Sequence, residues 1–272
     1  SPWRARGASA LLAAAIAAGV PGRAHAGVFV SVNFAPPPLP VYVQPPIPGP
    51  GYIWTPGYWA WDGVQYYWVP GAWVLAPYVG ALWTPGYWGW SGGVYIFHTG
   101  YWGRHVGYYG GINYGHGYGG HGYDGGYWRG NGFYYNRSVN RVTNRITNVY
   151  NRPAVAGGTV NRASFNGGPG GIEARPNTQE QMAMREQHVQ ATHEQMNHQQ
   201  VMSRNRNQFA SVNHGRPSAV AMNRVNGRQF NEQGHAAAFN GNRANGNANR
   251  ATNHQQAHPQ RGNRAGGGHE RR

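Results

Sequence analysis

Nine tryptophans recur at regular spacing between residues 54 and 102, and their indole rings are the side chains best suited to binding chemistry. Trp and Tyr rings offer flat apolar faces with a polar edge, so a periodic row of them could provide several stacking sites for sugar rings. The alternative is that the rings pack on one another as the only available core, because Trp is mostly buried in folded proteins. This candidate surface for binding or packing consists of Trp54, Trp59, Trp61, Trp68, Trp73, Trp83, Trp88, Trp90 and Trp102. A second aromatic surface could be formed on the opposite face by Tyr58, Tyr87 and Tyr101.

Other residue types offer no pattern suited to catalysis or metal binding. Asp62 belongs to an Asp-Gly turn and Asp124 to a glycine-rich loop, so no carboxylates are paired for acid–base work. The chain has no Cys, which excludes disulfides and thiolate ligands. Histidines spaced five residues apart rotate by about 140° per step on a helix and share no face; they are His116 and His121, and His188, His193 and His198. The sequence therefore predicts a protein that is not an enzyme and has no metal or cofactor site.

The tryptophans belong to the pattern Trp-x-Pro-Gly-x-Trp, which occurs four times. The copies begin at Trp54, Trp68, Trp83 and Phe97, at spacings of 14, 15 and 14 residues. The fourth copy departs from the pattern, with Phe97 in place of Trp and Thr99 in place of Pro. Pro-Gly suits a type II turn, in which Gly supplies a positive φ. We therefore expect turns with positive φ at Gly57, Gly71 and Gly86, and Gly100 as the fourth turn glycine. Across these turns we expect three facing Trp pairs, namely 54/59, 68/73 and 83/88.

Short aromatic runs between turn signals predict a mainly β fold. Further hairpin turns are predicted at Asp62-Gly63 and Ser91-Gly92-Gly93. Strands of three or four residues are expected near 52–54, 58–61, 65–68, 72–75, 81–83, 87–90, 94–97 and 101–104. The simplest arrangement is a small antiparallel β-meander built from the hairpin repeats over residues 51–104, followed by a largely disordered tail with one or two helices near 178–208.

The regions flanking the repeats differ in composition. Residues 27–50 are Pro-rich and predict a stiff spacer, because Pro fixes φ and donates no amide hydrogen bond. Residues 105–135 are rich in Gly, Tyr and His and predict a flexible segment, with one irregular strand near Tyr127-Trp128 or Phe133-Tyr134-Tyr135. An Asn/Arg-rich segment and a Gly/Pro linker fill 136–176, and residues 136–152 fit helix and strand equally well.

The strongest helical signals lie in residues 177–208. Thr178 is the expected N-cap, with Gln181 completing a capping box. A second box, Thr192 with Gln195, is expected to mark a break. Residues 209–272 form a basic low-complexity tail, and from Gly215 onwards the composition predicts disorder.

The N-terminus has the features of an export signal. Arg4 and Arg6 precede an uncharged apolar run from Ala8 to Val20, and Ala24-His25-Ala26 fits the small-x-small rule for cleavage. Cleavage after Ala26 would make Gly27 the first residue of a periplasmic or secreted protein. A membrane anchor is the alternative, but the run is shorter than the ~20 residues that a span requires. We expect no transmembrane segment in the mature chain.

Charge and aromatic residues divide the chain into two halves. Residues 27–135 contain two Arg and two Asp, whereas residues 136–272 contain 18 Arg and six Glu, a net charge of +12. The basic half could adhere to an anionic outer-membrane surface or serve as a solubilising tail. It could also bind nucleic acid by phosphate neutralisation and base stacking. For an exported protein we expect no nucleic-acid binding. Nucleic-acid binding by the Arg-rich half is the second alternative if residues 1–26 are not an export signal.

The repeat copies resemble those of the YXWGXW (WXXGXW) repeat proteins of bacterial envelopes. Segments 164–176 and 209–217 resemble the regions that follow the repeats in that family, so the likeness covers about residues 51–217. The resemblance implies export and a short repeat sheet, and it implies no activity. We therefore expect a non-enzymatic cell-envelope protein that contacts envelope polysaccharide, peptidoglycan or an anionic surface polymer. The alternative is a purely structural or assembly protein whose aromatic rings only pack.

Overall fold

The computed structural model describes residues 30–154, 162–222 and 225, and the fold is mainly β. Its strands are β1 (Ser31–Val32), β2 (Tyr52–Thr55), β3 (Tyr58–Trp61), β4 (Tyr66–Val69), β5 (Gly71–Leu75), β6 (Leu82–Thr84), β7 (Tyr87–Ser91), β8 (Val94–His98), β9 (Tyr101–Gly103), β10 (Asn113–Gly115), β11 (Tyr118–Gly119), β12 (Gly126–Arg129), β13 (Gly132–Asn136), β14 (Val149–Tyr150), β15 (Phe165–Asn166) and β16 (Ala221–Met222). Its helices are α1 (Thr178–Ala183), α2 (His193–Met202) and α3 (Ala210–Asn213), with a 3₁₀ turn at Arg206–Gln208. The predicted fold class, small antiparallel sheets made of hairpins with few helices, is confirmed.

The repeats form two long hairpins, each containing two copies of the six-residue pattern. In the first hairpin β2 pairs with β5 and β3 pairs with β4, in one continuous register that places Trp54 opposite Trp73 and Trp59 opposite Trp68. In the second, β6 pairs with β9 and β7 with β8. The predicted turns at Asp62-Gly63 and at Gly92-Gly93 close the two hairpins. Asp62 Oδ1 accepts the Val64 and Gln65 amides at 2.8 Å, and Gly92 and Gly93 have φ of 58° and 91°.

The Pro-Gly pairs are bends in the hairpin arms and not turns, which corrects two predictions. None of the four expected turn glycines has a positive φ; they are Gly57, Gly71, Gly86 and Gly100. The expected Trp pairs 54/59, 68/73 and 83/88 do not face each other, because each ring faces an aromatic ring on the opposite arm. The two arms depart from strand at the same level: Pro56-Gly57 lies opposite Pro70-Gly71 in the first hairpin, and Pro85-Gly86 lies opposite Thr99-Gly100 in the second.

Close approach, rather than backbone conformation, explains the glycines at the bends. A Cβ atom on Gly71 would lie 2.7 Å from the Trp54 ring and 2.8 Å from the Gly57 nitrogen. A Cβ atom on Gly57 would collide with the ring of Trp68. The second hairpin repeats the arrangement, since a Cβ on Gly100 would lie 2.5 Å from the ring of Trp83, and one on Gly86 would lie 2.9 Å from that of Phe97. The first aromatic ring of every copy therefore covers the glycine of the copy on the opposite arm.

The two hairpins pack against each other through aromatic side chains. Trp88 Nε1 donates to the Trp59 carbonyl at 2.8 Å, and the Tyr66 and Trp88 rings meet edge to face at 5.3 Å. Tyr118 joins both hairpins, because its hydroxyl reaches the carbonyls of Trp54 at 3.2 Å and Trp83 at 3.0 Å. Aromatic pairs of this kind stabilise by about 0.5–1.5 kcal/mol each beyond the burial of their area. Packing between aromatic side chains therefore stabilises the core, and it holds the short strands together in a chain that has no disulfides.

The Pro-rich segment lies on the hairpins and is not a detached spacer over residues 30–50. Leu39 and Ile47 are buried, and β1 extends the second hairpin by pairing with β8. The carbonyls of Pro38 and Pro45 accept the indole N–H groups of Trp59 and Trp73, at 3.2 Å and 2.9 Å. Extended Pro-rich backbone has no internal hydrogen bonds, so its carbonyls are available to satisfy buried indoles.

The Gly/Tyr/His segment is ordered, contrary to the prediction of flexibility for residues 105–135. It contains β10 to β13, and the rings of Tyr109, Tyr118 and Tyr135 are fully buried. Their hydroxyls bond to backbone carbonyls; Tyr135, for example, donates to Tyr52 O at 2.9 Å. The apolar area and hydrogen bonds that these tyrosines gain offset the entropic cost of ordering the glycines.

Residues 136–154 form neither a helix nor a long strand. Their one strand, β14, pairs in parallel with β13. The segment is held by buried asparagines: the side chain of Asn136 donates to Asp124 O at 3.0 Å and Arg152 O at 2.8 Å, and Asn140 Nδ2 donates to Asn136 O at 3.0 Å. Asn136 and Asn140 therefore anchor a loop, and their spacing does not mark a helix or a strand.

Two helices occur where the sequence predicts them, with one cap shifted. α1 is capped by Asn177 and not by Thr178, since the Asn177 side chain accepts the Glu180 amide at 2.9 Å and Glu180 Oε2 accepts the Asn177 amide at 2.9 Å. The predicted box of Thr192 with Gln195 is present at the start of α2 and marks the break.

The chain after α2 wraps over the first hairpin, which corrects the expectation of disorder for residues 215–222. β16 pairs in parallel with β5, and Trp68 Nε1 donates to the Val220 carbonyl at 3.1 Å. The remainder of the predicted tail, apart from Val225, and the predicted signal segment 1–26 lie outside the described residues. Within the described part of the chain, no helix has the length and apolar character needed to cross a membrane.

Candidate functional site

The tryptophans proposed as a binding or packing surface lie mostly in the core. Seven of them are buried, with at most 7 % of the residue exposed, namely Trp54, Trp59, Trp68, Trp73, Trp83, Trp88 and Trp102. Their faces are occupied by one another: Trp54 and Trp73 meet at 5.4 Å, Trp59 and Trp68 at 5.2 Å, and Trp83 and Trp102 at 5.2 Å. These rings therefore have no face left for a sugar.

The remaining two tryptophans lie near the hairpin tips and are half-buried. Trp61 is covered at its edge by Phe34, with ring centroids 5.2 Å apart. Trp90 lies under the loop after β15, where a Cβ atom on Gly168 would come within 2.8 Å of the indole. Both rings are therefore packed more loosely than the seven core tryptophans.

The tyrosines on the opposite face of the repeats are also engaged. Tyr58 stacks on Phe97 at 5.5 Å and 16°, and so links the two hairpins. Tyr87 stacks on His98 at 4.5 Å, and burial raises the pKa of Tyr87 to about 12. Tyr101 stacks on His188 at 3.7 Å, which attaches the segment after α1 to β9.

An aromatic surface that the repeat pattern does not reveal lies on the sheet of β12, β13 and β14. Tyr127 faces Tyr134 across the strand pair, with rings stacked at 5.6 Å and 12°. Tyr150 approaches Tyr127 to 5.1 Å. Tyr127 is 44 % exposed, and the other two are half-buried. We call these three residues the tyrosine surface.

Alternation along the strands creates the tyrosine surface. In β12 and β13, side chains of one parity point inward and form a packed cluster of Trp128, Phe133 and Tyr135. Residues of the other parity, Tyr127 and Tyr134, therefore point outward. The aromatic runs around 127 and 133–135 are visible in the sequence. Their pairing is not, because the glycines between them resemble a flexible segment.

Arginines flank the tyrosine surface. Arg129 is exposed and lies two residues after Tyr127 in β12, on the same side of the strand. Arg152 lies two residues after Tyr150, and its backbone is fixed by a bond from its amide to Asn136 Oδ1 at 3.0 Å. Burial raises the pKa of Tyr150, and the positive charge of Arg152 partly offsets that shift. Flat rings next to guanidinium groups can contact both apolar ring faces and anionic groups.

Two cavities flank the bends of the hairpins. One, of about 220 Å³, lies between the hairpins beneath α2, and its lining includes Pro56, Pro70 and Pro85. His198 of α2 closes it, with Nε2 2.9 Å from the Pro70 carbonyl, and burial lowers the pKa of His198. The other, of about 260 Å³, opens beside Gly57 and is lined by Tyr42, His116 and Arg162.

The titratable residues form pairs rather than clusters. His121 Nδ1 lies 3.0 Å from the buried carboxylate of Glu180, and His105 Nδ1 lies 2.7 Å from Glu186. Both pairs connect the Gly/Tyr/His segment to α1 and the residues after it. Among the residues that the structure describes, no three His, Cys, Asp or Glu side chains lie close enough to hold a metal ion.

Comparison with known proteins identifies the repeats. The WXXGXW repeat family matches residues 49–74 and 82–102, which correspond to the two bent hairpins. No curated protein and no solved structure matches the chain. The chain therefore contains two copies of the WXXGXW repeat, and each matched stretch folds as one hairpin carrying two facing copies of the six-residue aromatic pattern.

Proposed function

We propose that this protein is a non-enzymatic, exported module of the cell envelope that contacts envelope polysaccharide or peptidoglycan through the tyrosine surface. The observation that carries the proposal is the contrast between two aromatic sets. Seven of the nine repeat tryptophans are buried in the core. The side chains of the tyrosine surface, Tyr127, Tyr134 and Tyr150, instead point outward from a regular sheet.

The repeats act as a scaffold in this proposal. Tyr135 of β13 donates to the Tyr52 carbonyl in the first hairpin, and Trp128 of β12 donates to the Ala81 carbonyl next to the second, so the sheet that carries the tyrosine surface is attached directly to the repeat core. A rigid platform loses little entropy when a polymer binds. The rings would stack on sugar units, while Arg129 and Arg152 would meet carboxylate or phosphate groups on the same polymer.

Substitution of the tyrosine surface tests the proposal. The mature protein is sedimented with peptidoglycan sacculi and with an acidic polysaccharide, and the bound fraction is measured. Tyr127→Ala, Tyr134→Ala and Tyr150→Ala together should weaken binding about tenfold or more, since each aromatic contact contributes on the order of 1 kcal/mol. Phe34→Leu removes another exposed ring, which packs on Trp61 near the tip of the first hairpin, keeps an apolar cover over that indole, and should leave binding unchanged.

A purely structural role is the second candidate, and the burial of seven repeat tryptophans favours it. In that case the native protein would sediment with neither polymer, and the triple tyrosine variant would behave like the native protein. Tighter binding to single-stranded DNA than to either glycan would instead favour a nucleic-acid function.

Export is proposed from the N-terminal sequence. N-terminal sequencing of protein recovered from the periplasm or the medium should begin at Gly27 or within a few residues of it. Recovery of the intact chain from the cytosol would contradict export and would strengthen the nucleic-acid alternative.

The basic C-terminal half is proposed to adhere to anionic outer-membrane surfaces. Residues 136–272 contain 18 Arg and six Glu, so binding to anionic vesicles should be strong at low salt and weaken as salt screens the charges. Removal of residues 226–272 should reduce this binding. Equal vesicle binding by the shortened and full chains would contradict a role for those residues.

A further inference from the structure

The cavity beside the first bend combines ring walls with one cation, and we propose that it binds a single-ring carboxylated sugar of the hexuronate class. We call it the Arg162 pocket. Its volume of about 260 Å³ is slightly below the range of drug-sized pockets, which suits one sugar ring rather than a chain. The Arg162 pocket shares no lining residue with the tyrosine surface. A ligand could therefore bind here whether or not that surface binds a polymer.

The walls of the pocket come from segments far apart in sequence. Val41 and Tyr42 come from the Pro-rich segment, His116 from the turn between β10 and β11, and Gly57 and Trp68 from the first hairpin. The His116 ring packs against Tyr42 at 5.1 Å and Trp54 at 5.9 Å. These contacts hold an apolar surface with a polar edge at a fixed place.

His116 is held in an unusual conformation at this site. Its φ is 50°, in the left-handed region, which few residues other than Gly adopt, although His adopts it more often than most. Such a residue persists where the surroundings hold it, often at ligand sites. Burial lowers the pKa of His116 to about 4, so its imidazole is neutral at pH 7 and can donate to or accept from a hydroxyl.

Arg162 supplies the charge. Its Nε donates to the Leu39 carbonyl at 2.7 Å, and the Leu39 amide donates to the Arg162 carbonyl at 2.8 Å. This reciprocal pair fixes the base of the side chain at the pocket. Among the described residues that line the pocket there is no Asp or Glu, so the field favours an anion. A ligand carboxylate would accept from the terminal nitrogens of the guanidinium fork.

Asn113 completes the set of polar groups. Its Oδ1 accepts the Gly115 amide at 3.0 Å, which orients the side chain with its NH₂ group as the donor toward sugar hydroxyls. One cation, one amide donor and one neutral imidazole beside aromatic walls match the carboxylate and hydroxyls of a hexuronate. A neutral hexose would leave the cation without its partner.

Titration of the full chain with sodium glucuronate, glucose and inorganic phosphate tests the proposal by calorimetry. Glucuronate should bind at least tenfold more tightly than either glucose or phosphate. Arg162→Gln should weaken glucuronate binding at least tenfold, and Arg185→Gln, which alters an exposed arginine outside both the pocket and the tyrosine surface, should not. The triple tyrosine variant should keep glucuronate binding, which separates this site from the tyrosine surface.

A rim substitution keeps the test valid if Arg162→Gln disturbs folding through its bond to Leu39. Val41 is 77 % exposed and lines the pocket, so Val41→Asp should fold normally, as judged by unchanged near-UV dichroism, and repel the carboxylate. We expect a loss of tenfold or more. Equal affinity for glucuronate and phosphate would reduce the site to a plain anion site. Unchanged glucuronate binding in Val41→Asp would also overturn the proposal.

Discussion

At the residue scale, the repeat glycines are fixed by the rings that lie over them. The sequence correctly singles out Gly57, Gly71, Gly86 and Gly100, but for the wrong reason. A type II turn and a close ring contact both require glycine next to proline, and only the opposite arm of the hairpin distinguishes them. Because that arm lies about 14 residues away in sequence, the local pattern could not reveal it.

Gly71→Ala should lower the free energy of unfolding by about 1–3 kcal/mol, because the new methyl group would overlap the Trp54 ring and the Gly57 amide. Urea denaturation followed by Trp fluorescence would measure it. Gly49→Ala is the matched control, since a Cβ there would meet nothing nearer than 3.8 Å, and it should change stability by less than about 0.5 kcal/mol. Equal effects of the two substitutions would contradict the close-contact explanation.

His116 makes the fold sensitive to acid. Its pKa falls from the ordinary 6.5 to about 4 on burial, so the unfolded chain binds a proton that the folded chain does not between these pH values. The associated stability is present above pH 6.5 and is lost as the pH falls towards 4, by at most about 3 kcal/mol.

His116→Asn should flatten this acid limb while tolerating the left-handed backbone, which Asn adopts more readily than most residues. Stability measured by urea denaturation at pH 7 and at pH 4.5 would show it. A native protein equally stable at both pH values, or a variant with an unchanged slope, would contradict the assignment to His116.

At the element scale, eight repeat strands lie close to where the alternation and turn residues predict them. The pairing of β3 with β4 and of β7 with β8 follows from the predicted turns, but the pairing of β2 with β5 and of β6 with β9 could not be predicted from the sequence. The six-residue pattern is compatible with two pairings: Trp54 could face Trp59 across a Pro-Gly turn, or it could face Trp73 on the opposite arm of a hairpin. The tyrosine surface was missed because glycine-rich runs indicate high chain entropy, and the buried hydroxyl bonds that offset it form with strands far away, such as Tyr135 with Tyr52.

The caps of the helices give a prediction at the same scale. Asn177→Ala should destabilise the protein by about 1 kcal/mol, because it removes the acceptor of the Glu180 amide. Thr178→Ala should cost clearly less, since Thr178 is the first residue within α1. Chemical denaturation of both variants would decide between the two positions. A larger loss for Thr178→Ala would restore Thr178 as the cap.

At the scale of the whole molecule, both flanks of the repeats complete the core. Trp59 and Trp73 donate to the segment before the hairpins, whereas Trp68 and Trp102 donate to residues 220 and 195 after them. These hydrogen-bonding partners lie up to 152 residues apart in sequence, and contacts at such distances leave no periodic pattern. The sequence could therefore show where the flanking segments begin and end, but not that they pack on the hairpins.

Removal of all residues after Pro176 should shift the Trp emission to longer wavelength and lower the thermal midpoint, because Trp68 and Trp102 lose their hydrogen-bond acceptors and cover. Fluorescence spectra and melting curves would measure both effects. A chain shortened after Val225 keeps these partners and should match the full chain in both measurements. Identical spectra for the chain ending at Pro176 would show that the C-terminal wrap does not protect the core.

The pairing of copies across each hairpin also limits how the number of copies can change in evolution. The first aromatic ring of each copy packs on the glycine of the copy on the other arm. An unpaired copy would therefore have a ring with no glycine to pack on and a glycine with no ring over it. The viable unit of duplication or loss is therefore two copies together, a stretch of 29 residues here. Related proteins with longer or shorter repeat regions should have an even number of copies. Where the number is odd, the unpaired copy should have lost its glycine or its first aromatic residue.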